Sequence, residues 1–119
     1  MKSVFSQILI KELQPLEGLI SAVFIDWEGE AVDYFSKIGD ESLIHSAHWG
    51  IIYNLTNMRW KQFHLGSPKE IIIQCETEQV IVRYVSEGYL LVLLLSPSAA
   101  LGQAQLLMTH AVSSLLAEM

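Results

Sequence analysis

The period of apolar and polar positions changes several times along the chain. Phe5, Leu9, Leu13 and Leu16 recur at near-helical spacing, which predicts a helix over residues 3–13. Ser3 is placed to cap it, and Pro15 and Gly18 to end it. Residues 19–25 are apolar and rich in β-branched and aromatic side chains, and residues 30–36 follow as a partner strand. Gly29 between them supplies the positive φ that a short hairpin turn needs. After the break at Gly39-Asp40, a long helix is expected over residues 41–58, capped by Asp40, and residues 59–67 read as a polar loop. Strands are then expected at 70–75, 79–85 and 89–95, the last with no polar alternation, as in a central strand covered on one or both faces. A final helix over residues 99–117 carries Leu101, Ala104, Met108, Ala111, Val112 and Leu115 as its apolar stripe. The order αββαβββα predicts an α+β domain, with a largely antiparallel five-stranded sheet and helices packed on it.

The middle helix has two apolar sectors. Leu43, Ile44, Ala47, Ile51, Leu55 and Met58 gather in one, which is expected to face the sheet. The other carries His45, Trp49, Ile52, Tyr53 and Thr56. Two large aromatics on an outer face point to a protein interface. The competing reading is that the 59–67 loop or the first helix folds over them. The strand carrying Ile71, Ile73 and Cys75 is a second interface candidate if it lies at a sheet edge, because an apolar edge needs a partner. His48, beside Trp49, belongs to the same candidate surface.

Composition sharpens this picture. The 119 residues fit one domain, 1–119, yet 51% are hydrophobic and the mean hydropathy is +0.36. The apolar surplus needs a membrane, a ligand cavity or a second subunit. The longest apolar run, residues 89–95, is far short of the roughly 20 residues of a membrane span. Met1-Lys2-Ser3-Val4-Phe5 leads into Lys11 and Glu12, so neither a signal peptide nor membrane insertion is expected. One cysteine, Cys75, excludes an internal disulfide and suits the cytoplasm, where it reads as a small apolar strand residue. Net charge is −6 and the seven Lys and Arg residues are scattered. Only Arg59-Trp60-Lys61-Gln62-Phe63-His64 mixes basic and aromatic side chains densely, which is too narrow a footprint for nucleic acid.

Candidate chemistry is thin. Asp26, Glu28 and Glu30 crowd the first turn, but their spacing and flanking strands do not fit a calcium-binding helix–loop–helix. They read as a solvated hairpin tip. His45 and His48 are three apart on one helix, and with His64 they would still lack a metal-binding motif. There is no nucleophile elbow, phosphate-binding glycine loop or dinucleotide fingerprint. No catalytic residue, metal or cofactor is expected, and the chain reads as a binding module.

Residues 16–23, with Gly18, and Glu28-Gly29-Glu30-Ala31-Val32 resemble the roadblock (dynein light chain) pattern of a helix ending in glycine, a strand, an acidic-Gly turn and a second strand. Gly88-Tyr89-Leu90-Leu91-Val92 and Leu101-Gly102 resemble it too. Ser21 stands where a second glycine is common, and Gln105 where an arginine is frequent, which leaves the subfamily open. The resemblance implies a profilin-like sandwich with the middle helix on one face of the sheet and the terminal helices on the other. It also implies a homodimer in which third strands pair and middle helices lie side by side. Bacterial members of the MglB type, which the chain is similar to, bind Ras-like small GTPases and stimulate hydrolysis without an arginine finger. A scaffold dimer of the same fold, or a small-ligand sensor with a cavity between sheet and helix, are the alternatives.

Overall fold

A computed structural model describes residues 3–119; Met1 and Lys2, the first residues of the expected 1–119 domain, lie outside the described residues. The elements are α1 (Val4–Leu13), β1 (Leu19–Asp26), β2 (Ala31–Ser36), α2 (Glu41–Gln62), β3 (Glu70–Gln74), β4 (Gln79–Ser86), β5 (Tyr89–Leu95) and α3 (Leu101–Ala117). The strands form one antiparallel sheet in the order β2-β1-β5-β4-β3. The expected α+β architecture and element order are both present.

Helices cover both faces, and the period-two alternation of the strands sorts side chains between them. On the α1/α3 face, Ala22, Phe24, Ile81, Leu91, Leu93 and Leu95 meet Leu9, Leu13, Met108, Ala111 and Leu115. On the α2 face lie Val23, Ile25, Val80, Val82, Leu90, Val92 and Leu94. Residues 90–95 of β5 are thus buried on both sides, which explains its unbroken apolar run.

Short polar contacts fix the connections. Asp33 Oδ2 accepts the Ser6 N–H at 3.1 Å and the Ser3 hydroxyl, so a β2 carboxylate helps Ser3 cap α1. In the first turn, Asp26 Oδ1 accepts the N–H groups of Glu28 and Glu30 at 2.9 and 3.0 Å, while Gly29 adopts φ 89°. Asp26 therefore organises the hairpin backbone. Arg83 on β4 is buried and donates Nε to Glu70 Oε1 on β3 at 2.8 Å and Nη1 to Thr109 Oγ1 on α3 at 2.7 Å. Gln105 Nε2 donates to the other Glu70 oxygen at 2.8 Å. This network ties the outermost strand to the last helix.

Most element boundaries fall within two residues of expectation, and two differences bear on the site. α2 runs to Gln62, because Arg59, Lys61 and Gln62 are good helix formers and the chain reaches its stop only at His64–Gly66. β3 ends at Gln74, which leaves Cys75 outside the strand.

Candidate functional site

α2 lies on the sheet through small side chains. Ser42, Ser46 and Gly50 are buried at i, i+4 and i+8, and a Cβ on Gly50 would sit 2.7 Å from Ile25 Cδ1. The helix therefore approaches β1 closely, and the sheet supplies the apolar bulk of that layer. The large inward side chain is Tyr53, only 2% exposed, whose hydroxyl donates to Pro68 O at 2.5 Å. Burial, reinforced by nearby Tyr84, pushes the Tyr53 phenol up to about 12.

The opposite face of α2 is apolar and open. Ile44, Ile51, Leu55 and Met58 are 75%, 57%, 58% and 60% exposed, and His48 lies between the first two. Positions 44, 48, 51, 55 and 58 follow the alternating four- and three-residue steps of a helix–helix seam. A monomeric surface rarely carries so continuous an apolar stripe.

This corrects the expected orientation of α2. The sector expected to face the sheet, apart from half-buried Leu43 and Ala47, points to solvent. Tyr53, expected on the outer face, is in the core, and Trp49 is half-buried against the same cluster. The reason is steric. A stripe of Leu and Ile would hold the helix away from the sheet, whereas Ser, Ser and Gly let it close. Of the other predicted outer residues, His45 and His48 are exposed, while Ile52 and Thr56 are half-buried. Thr56 Oγ1 donates back to Ile52 O at 2.9 Å. The small residues at 42, 46 and 50 were the legible signal for the true inner face.

Among the described residues β3 is a sheet edge, paired only with β4. Ile71 and Ile73 are half-buried on the α2 side. Cys75 is exposed, which corrects its reading as a packed strand residue: it follows the last paired position, and its N–H donates to Glu78 O at 2.8 Å to close the turn. Of the predicted α2 surface only His48 falls on the open seam, and β3 lies at the edge of the sheet that α2 covers.

A cleft of about 520 Å³ opens between the C-terminal half of α2 and the β4–β5 turn. Trp27, Tyr53, Asn57, Lys61, Tyr84 and Leu90 are among its walls. Asn54 Nδ2 donates to Trp27 O at 2.8 Å, holding the first hairpin against α2 at the cleft's end. Asn57 Oδ1 is buried without a partner among the described residues. The predicted histidines do not converge: His45 Nδ1 lies 3.9 Å from Glu78 Oε1, and no three metal-ligating side chains cluster among the described residues. Among the described residues, no helix is long and apolar enough to cross a membrane.

No protein-family profile matches the chain, and no curated protein matches it significantly. Solved structures do. A Roadblock/LC7 domain from Streptomyces avermitilis superposes with a TM-score of 0.86 at 17% identity, covering 95% of each chain. An MglB structure with a tetrameric arrangement gives 0.82 at 19% identity, over 97% of this chain and 90% of that one. The gliding protein MglB from Thermus thermophilus gives 0.81 at 19% identity, with the same coverage. The shared feature is the fold.

Proposed function

We propose that this chain, which has the Roadblock/LC7 fold, is a homodimeric cytoplasmic regulator that binds a Ras-like small GTPase and promotes its return to the GDP state. The observation that carries the reading is the open seam Ile44–His48–Ile51–Leu55–Met58, alongside a sheet that ends in the edge strand β3. Two copies related by a two-fold axis bury both features at once, with edge strand against edge strand and seam against seam. The MglB structure with a tetrameric arrangement supports self-association within this fold.

Such a regulator contributes no catalytic group. A rigid surface that binds the hydrolysis-competent switch conformation more tightly than the others shifts the GTPase towards it, and differential affinity is all that is required. Arg59 and Lys61 are exposed at the end of α2, but the reading needs neither as an arginine finger.

The test uses a Ras-like GTPase from the same genome, loaded with a non-hydrolysable GTP analogue or with GDP. The reading predicts tighter binding to the analogue-loaded form and faster GTP turnover on addition of this protein. Binding indifferent to nucleotide leaves a scaffold dimer. The cleft beside Asn57 favours a second reading, a small-ligand sensor. That reading predicts a rise in melting temperature with a small polar ligand and no nucleotide-dependent partner.

A further inference from the structure

We propose that the C-terminal tip of α2 is a peripheral docking site for an anionic lipid surface, beyond the seam that ends at Met58. Residues 59–67 are exposed without interruption. Within them Trp60, Phe63 and Leu65 present large apolar side chains, the last two 67% and 63% exposed, interleaved with Arg59, Lys61 and His64.

The tip is built rather than frayed. The His64 N–H donates to Lys61 O at 3.1 Å, the Leu65 N–H to Trp60 O at 3.0 Å, and His64 takes φ 59°. These are the two bonds and the left-handed residue of a Schellman helix stop. Trp60 and Leu65 are thereby fixed at its two ends.

Charge selects the occupant. Residues 42–69 hold three of the seven Lys and Arg residues, three of the four histidines and none of the 13 Asp and Glu residues. That segment is +3 in a chain of −6, so the remainder carries −9. A protein of net charge −6 is repelled by an anionic bilayer on average, and this segment is the stretch of the chain that carries excess positive charge. Exposed Trp, Phe and Leu among cations are the side chains that enter the headgroup region, and apolar plus electrostatic anchors together give stable attachment. Nucleic acid fits less well: Leu65 offers no stacking surface, and three cations make a small phosphate footprint.

The test is co-sedimentation with vesicles of mixed phosphatidylglycerol and phosphatidylcholine, against pure phosphatidylcholine, at low and high salt. The wild type is expected in the pellet with anionic vesicles alone, and released by salt. Two double variants, Phe63→Asp with Leu65→Asp and Arg59→Glu with Lys61→Glu, should each weaken partitioning at least about tenfold. Circular dichroism should show both folded, since all four side chains are exposed. Failure to sediment with anionic vesicles, equal binding to both lipids, or binding untouched by both variants overturns the proposal. So does release by a single-stranded oligonucleotide that itself binds the tip more tightly than the vesicles do.

Discussion

Gly50 and Tyr53 decide how α2 meets the sheet, and each gives a measurable consequence. Gly50→Leu puts a branched side chain where a single Cβ already lies 2.7 Å from Ile25 Cδ1. The expected cost is about 2–3 kcal/mol by chemical denaturation, the upper range of core overpacking. Tyr53→Phe keeps the ring and leaves Pro68 O without its donor, at an expected cost of about 1 kcal/mol. Tyr53 also sets an alkaline limit. Its phenol is raised from 10.0 to about 12 in the folded protein, so folding favours the protonated form. That stabilisation is complete below pH 10 and is lost as pH rises from about 10 to 12, by on the order of 2 kcal/mol. The difference in stability between wild type and Tyr53→Phe, followed from pH 8 to pH 12, should shrink or reverse over that window. Tyr34 shifts the same way, through its hydrogen bond to Asp40.

The strands and their succession along the chain were legible in the sequence because each rests on one local signal, alternation or a turn glycine, and burial agreed with it. α2 was legible as a helix but not in its rotation. Its largest aliphatic side chains, Ile44, Ile51 and Leu55, face outward, while Ser42, Ser46 and Gly50 face the core. A reading that sends the most apolar sector inward fails when a helix has a second surface to cover. The open edge of β3 followed only from the family resemblance, since edge position depends on strand order and no single strand encodes it. The end of α2 was hidden because its stop uses His64 in the left-handed region where glycine is usual. His64→Gly should therefore stabilise the protein by about 0.5–1 kcal/mol, seen as a higher denaturation midpoint. Opposite in sign is Arg83→Met, which strands the Glu70 carboxylate in the β3–β4–α3 network. It should cost about 3 kcal/mol and loosen the edge strand, visible as faster amide exchange in β3.

The whole molecule is polarised twice over. Its apolar surplus is displayed along the outside of α2, and its acidic residues lie entirely outside residues 42–69. Both asymmetries single out the α2 layer, while α1 and α3 close the opposite face of the core. The central claim is that the outward seam of α2 is an interface between copies of this chain. Light scattering on the purified protein, wild type beside Ile51→Asp, tests it directly. The account predicts twice the 13.4 kDa chain mass for the wild type, and the single-chain mass for the variant with its helical content intact. A wild type that stays at the single-chain mass at high concentration, or a variant that dimerises as well as the wild type, would contradict it.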